Sequence, residues 1–199
     1  MPNRSQRHKL EIHGGPLGEA PPVEPAGEWV TVFDKTAEFV ASAAHENGWG
    51  GYSLAATIPL ALFSETGGSK IRVTLNSGTQ PIVSSAVWLG NCAGSWCSFN
   101  GDQVQLKVGG ATTFNIPANT DVVSDEINFT KDAVNSLAVS WQFTDGAGNC
   151  DMKTIAVSLV PNGKVYFAAG ALAGTENKSS FNVESSSWRM ISKVELFVS

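Results

Sequence analysis

Apolar and polar residues alternate with a period of two along most of the chain from Trp29 onward, which is the repeat of a β-strand with one face turned to a core. Ile71, Val73 and Leu75 alternate with Arg72, Thr74 and Asn76, and Val104, Leu106 and Val108 alternate with Gln103, Gln105 and Lys107. Val139, Trp141 and Phe143 oppose Ser140, Gln142 and Thr144. Further stripes are Ile155, Val157 and Leu159, then Val165 and Phe167, then Trp188, Met190, Val194, Leu196 and Val198. Leu54, Ala56, Ile58, Leu60 and Leu62 make a longer stripe, in which Pro59 predicts an edge strand or a bulge because proline has no N–H for the ladder.

Turn signals separate these runs: Gly67-Gly68, Asn76-Ser77-Gly78, Asn100-Gly101-Asp102, Gly109-Gly110, Asp145-Gly146 and Pro161-Asn162-Gly163. About ten short strands with such spacing predict two packed antiparallel sheets. A short helix is expected near Asp34 to Ala44. The fold class is therefore an all-β, two-sheet antiparallel β-sandwich over residues 29–199, of jelly-roll type, with an extended N-terminal arm over residues 1–28.

The arm carries Arg4, Arg7 and Lys9, then Gly14-Gly15-Pro16 and Pro21-Pro22-Val23-Glu24-Pro25, with no helical or strand period. A Pro-rich segment runs extended and builds no core of its own. It is either a tail or an anchor lying on a neighbouring chain, with Arg4, Arg7 and Lys9 as the anchoring residues.

Charge narrows the partners. A formal net charge of -5, with only 13 Lys and Arg in 199 residues, argues against a nucleic-acid binder, which needs a concentrated basic surface. The chain has no run of 18 apolar residues for a membrane span, and its basic start is not followed by the apolar stretch of a secretory signal. Folding in a cytoplasm is expected. Three cysteines, Cys92, Cys97 and Cys150, leave an odd one whatever pairs. They are either all reduced thiols, or a small Cys92–Cys97 loop with Cys150 free to bridge to another chain.

The order and spacing of several segments resemble a known family. They are Ser69 to Asn76, Pro81 to Leu89, Ile116-Pro117-Ala118 running into Val123-Ser124-Asp125, and Ser136 to Ser140. Together they resemble the N-terminal jelly-roll β-sandwich that precedes the catalytic domain in some bacterial SGNH (GDSL-type) hydrolases. The resemblance covers roughly Trp29 to Phe197. That family's catalytic domain opens on Gly-Asp-Ser and carries Asp-x-x-His. Here Gly101-Asp102 is followed by Gln103, and the histidines are His8, His13 and His45, so the resemblance implies an accessory domain without its enzyme.

Other chemistry is sparse. Gly51-Tyr52-Ser53-Leu54-Ala55 looks like a nucleophile elbow but has no later histidine. Gly67-Gly68-Ser69-Lys70 lacks the spacing of a phosphate loop. No zinc set is present, and no cofactor is expected. Asp145, Asn149 and Asp151 offer the oxygen ligands that calcium takes, in a loop without the EF-hand pattern.

Among the six tryptophans, Trp141 and Trp188 lie on apolar stripes and read as core, while Trp29 opens the first strand. Trp49, Trp88 and Trp96 either cover the sandwich ends or form a glycan- or partner-binding surface, with Asn91, Asn100 and Asp102 supplying hydrogen bonds. Two functions follow as expectations. The first is a non-enzymatic structural protein of a virus particle, a bacteriophage capsid decoration or fibre-type protein forming a homo-oligomer such as a trimer. The second is a carbohydrate-binding module that adheres to polysaccharide.

Overall fold

The computed structural model describes residues 26–92, 94, 97–143 and 152–199, and among these every strand pairing is antiparallel. One sheet has five strands in the order β1 (Glu28–Asp34), β15 (Ile191–Val198), β4 (Lys70–Asn76) and β8 (Asp121–Val123), with β9 (Ile127–Asn128) also on β4. The other large sheet runs β13 (Val183–Glu184), β12 (Lys164–Ala169), β3 (Tyr52–Ile58), β10 (Ser136–Phe143), β5 (Ile82–Cys92) and β6 (Val104–Gln105). Its seventh strand, β7 (Phe114–Ile116), pairs with β5. A small third sheet joins β14 (Ser187–Arg189), β11 (Met152–Ala156) and β2 (His45–Glu46).

The period-two stripes become the inner faces of the two large sheets. Ile71, Val73 and Leu75 from β4 and Val194 and Leu196 from β15 share one apolar cluster with Leu54, Ala56 and Ile58 from β3, Leu137, Val139 and Trp141 from β10, and Val87 and Leu89 from β5. All of them are fully buried, each contributing about 1.5–3 kcal/mol for the larger aliphatic side chains. This is the all-β sandwich that the alternation predicts.

Three local features differ from or refine the sequence reading. β3 is not an edge strand, since it is paired on one side by β10 and on the other by β12. It ends at Ile58, and Pro59 stands just outside the ladder before a 3-10 turn over Leu60–Leu62, so the longer stripe breaks where the missing N–H no longer matters. Only Val104–Gln105 of the next stripe forms a strand, while Val108 bridges to Ala111 around the Gly109-Gly110 turn. The helix α1 (Thr36–Ala41) buries Phe39 and leaves Val40 on its outer side, and the Asp34 carboxylate accepts from the Thr36 N–H at 2.8 Å.

The seven-stranded sheet is covered on its outer face as well. Its outward row runs Gly90, Ala138 and Thr57 across neighbouring strands, and the next row runs Trp88, Ser140, Ala55 and Tyr166. Small side chains there let loops approach closely: a β-carbon on Gly90 would stand 2.7 Å from Phe99. Phe99, Cys92, Cys97 and Phe181 pack on Ala55 and Ala138 to make a second apolar cluster, with Trp88, Tyr166, Ala168 and Leu172 at its margin. Residues 97–103 and 170–181 thus form a cap over the sheet.

Candidate functional site

The residues singled out from the sequence fall into separate neighbourhoods. Trp49 lies before β3, half-buried, edge-on to Tyr52 at 5.8 Å and to Phe167 at 5.1 Å between ring centres. One face is occupied by the Arg189 guanidinium, 4.5 Å from the ring centre. Arg189 is 2% exposed and is held by the Glu46 carboxylate, by Ser185 Oγ at 2.7 Å and by the Ser187 carbonyl at 3.0 Å. Burial pulls the Arg189 pKa down, and the hydrogen bonds and charge of Glu46 act against that shift.

Trp88 stands on the outer face of β5 within the cap. A β-carbon at Gly174 would meet Trp88 Cε2 at 2.9 Å, so the indole lies directly against the Gly174 backbone. Gly174→Ala is therefore expected to lower stability by about 1–3 kcal/mol through overpacking. The midpoint of urea unfolding reads this directly, and an unchanged midpoint would mean that Trp88 and the loop separate freely. Trp29, at the start of β1, faces outward from the five-stranded sheet, edge-on to Phe197 at 5.6 Å and covered by the Arg72 guanidinium at 4.3 Å. Arg72 in turn makes two hydrogen bonds to Glu195, at 2.8 and 3.0 Å, which hold that carboxyl below the usual range.

Asn91, Asn100 and Asp102 do come together, as an internal network. Asn91 is 3% exposed; its backbone N–H donates to Asp102 Oδ1 at 3.0 Å, and its Nδ2 donates to Asp102 Oδ2 at 2.6 Å and to the Thr130 carbonyl at 3.1 Å. Its Oδ1 accepts from the Asp132 N–H, and its backbone carbonyl accepts from the Asn100 N–H at 2.9 Å. These groups fix the cap to the sheet edge. Asn91 and the Asp102 carboxylate are spent on these contacts, whereas Asn100 joins through its backbone alone and is exposed.

Cys92, at the end of β5, and Cys97, in the cap, are free thiols, and both are buried. Burial pushes Cys97 up to about 12 and raises Cys92, and the Thr57 hydroxyl that donates to Cys97 Sγ opposes the shift only in part. Neither thiol is a nucleophile near neutral pH. Trp96, Cys150, Arg4, Arg7, Lys9 and the Asp145, Asn149 and Asp151 loop lie outside the described residues. No group of three or more His, Cys, Asp or Glu side chains comes together among the described residues. No helix among them is long and apolar enough to cross a membrane.

Sequence reasoning missed two buried lysines. Lys178 is 0% exposed inside the cap, its Nζ donating to the Leu172 carbonyl at 3.1 Å and to the Ala173 carbonyl, and lying 4.4 Å from the Phe99 ring centre and 5.2 Å from that of Phe181. Burial pushes its pKa down to about 7. Lys131, also fully buried, donates to the carbonyls of Asp132 and Asn135, both at 2.5 Å. Each sits among polar neighbours, Asn177-Lys178-Ser179 and Thr130-Lys131-Asp132, so hydropathy gives no hint of burial.

Set against known proteins, the chain matches no family model and no curated sequence.

Proposed function

We propose that this chain is a non-enzymatic structural protein of a virus particle, a bacteriophage capsid decoration or fibre-type protein whose N-terminal arm anchors it while the β-sandwich faces outward. The observation that carries this reading is the geometry where the arm joins the sandwich. Ala26 and Gly27 lead into β1, which has β15 as a neighbour on one side and, among the described residues, stands at the sheet edge on the other. Beside them Glu28, Val30, Glu65, Val198 and Ser199 line an open hollow of about 550 Å³. A chain end that joins an edge strand beside a groove suits an anchor onto another chain, because edge strands and their flanks are ready pairing surfaces.

The tryptophans favour the same reading over adhesion by stacking. Arg72 covers a face of Trp29, Arg189 a face of Trp49, and Trp88 lies against Gly174, so among the described residues each of these indoles already has a partner where a sugar ring would otherwise stack. Symmetric homo-oligomers are the common outcome for subunits of this kind, and a trimer is the expected state. Light scattering on the full chain and on a version beginning at Ala26 tests it. A defined oligomer that becomes monomer without the arm supports the anchor, whereas equal masses for the two proteins would rule it out.

A further inference from the structure

Asparagine is followed by glycine at three places in the chain, Asn47-Gly48, Asn100-Gly101 and Asn162-Gly163. This dipeptide is chemically unstable in water, because glycine has no β-carbon to keep its nitrogen away from the preceding side-chain amide. The sequence makes the three pairs alike, and the fold makes them different.

Asn162-Gly163 is closed. The Gly163 N–H donates to the Val160 carbonyl at 2.7 Å across a turn that holds Asn162 at φ 60°. Gly163 is buried, and a β-carbon on it would stand 2.6 Å from Val160 Cγ1. Its nitrogen reaches the Asn162 side chain only after that turn opens. The other two pairs are open. Asn47, Gly48, Asn100 and Gly101 are all exposed, and neither glycine N–H has a hydrogen-bond partner among the described residues. No atom lies within 4 Å of where a β-carbon on Gly48 would stand, and the nearest to one on Gly101 is Glu176 Oε1 at 3.9 Å.

Asn47 has the more consequential place. Glu46 precedes it and holds the Arg189 guanidinium, and Trp49, two residues on, has a face covered by the same guanidinium. We infer that Asn47 is a site of spontaneous deamidation, a slow covalent change that acts on the Arg189 ion pair. The Gly48 nitrogen gives up its proton to the solvent and attacks Asn47 Cγ; the bond from Cγ to the side-chain nitrogen breaks, and that nitrogen takes up a proton and leaves as ammonia. Water then opens the five-membered imide at either carbonyl, giving aspartate or isoaspartate. Isoaspartate carries the main chain through its β-carbon, which lengthens the link between Glu46 and Trp49, and either product sets a new negative charge beside Glu46. This chemistry needs no partner and does not depend on the particle role.

Peptide mapping of the full chain by mass spectrometry, during incubation at physiological temperature and neutral pH, measures the three rates side by side. In the folded protein Asn47 and Asn100 are expected to gain one mass unit about tenfold faster than Asn162, whose reaction must first break a backbone hydrogen bond. In urea the three rates should converge, since only the fold distinguishes them. Conversion at Asn47 no faster than at Asn162 in the folded protein would overturn the assignment, and so would a difference that persists in urea. The Thr154 N–H, which donates to the Ala44 carbonyl at 3.0 Å and ties β11 to the chain entering β2, reads the effect on the small sheet. It is expected to exchange about tenfold faster in protein converted at Asn47 than in fresh protein, and unchanged exchange there would overturn the action on Arg189.

Discussion

Lys178→Ala is expected to destabilise the protein by about 3 kcal/mol, because truncation leaves a cavity under the cap, strips the Ala173 carbonyl of its donor and takes one donor from the Leu172 carbonyl. Lys178→Met fills most of the space but still orphans the Ala173 carbonyl, while the Leu172 carbonyl keeps the Thr175 N–H and hydroxyl, so about half that loss is expected. Urea unfolding measures both, and hydrogen exchange at the amides of residues 99 and 178, which donate across the two halves of the cap to the Glu176 carbonyl and to Ser98 Oγ, locates the damage. A uniform loss of protection across the sandwich, with no excess at those amides, would argue against a local clamp.

The same lysine sets a pH dependence. Its pKa is about 7 folded against 10.5 in an unfolded chain, so between those values the unfolded state holds a proton that the folded state does not. Protonation then favours unfolding, and stability rises with pH across that window. Cys97 acts in the opposite sense above its ordinary 9.0, since its folded value of about 12 leaves the unfolded thiol the stronger acid. The rise is therefore cleanest from pH 7 to 9, and Lys178→Met should flatten it. Deprotonation does not open the cap: a neutral amine keeps two N–H donors, matching the two carbonyls it serves.

Arg189→Ala is the second large effect, at about 3–5 kcal/mol, because it breaks a buried ion pair and uncovers Trp49. Arg189 lies on β14 and Glu46 on β2, the outer strands of the small sheet with β11 between them, and the pair clasps that sheet across its width. Glu46→Ala leaves the guanidinium buried with Ser185 and Ser187 as hydrogen-bond partners, so a smaller but substantial loss is expected. In a double-mutant cycle the two losses should fall well short of adding, since either change removes the same contact. Strict additivity would mean that Glu46 and Arg189 act separately.

How much of this was legible in the sequence depended on what alternated with what. Where apolar residues faced charged ones, as at Ile71-Arg72-Val73, the strand and its inner face could be read directly, and Ile71 and Val73 are fully buried. Where they faced small residues, the pattern misled. Ser53, Ala55, Ala138 and Ser140 make a face that looks polar, yet all are fully buried, because serine satisfies itself against backbone and alanine admits a close neighbour. Ser140 Oγ donates to the Leu54 carbonyl at 2.8 Å and Ser53 Oγ to the Gly170 carbonyl at 2.7 Å.

The cap that covers this face comes from turn-rich segments with no period, and its lysine has polar neighbours in sequence but aromatic ones in space. The candidate surface suffered from the same gap. Tryptophans in turns could be noticed, but the arginines and the glycine that cover them lie far away in sequence: Trp49 meets Arg189, Trp29 meets Arg72, and Trp88 meets Gly174.

The place of β15 has a consequence for synthesis. It lies between β1 and β4, which never pair with each other, so the five-stranded sheet has no middle until Ile191–Val198 exist. On a ribosome adding about 5–20 residues per second, β1 and β4 wait roughly ten seconds with exposed edges and uncovered valines. That interval is the period of greatest aggregation risk for this chain. Slower growth at low temperature, or a holding chaperone, should raise the soluble yield more than any change to the finished sandwich.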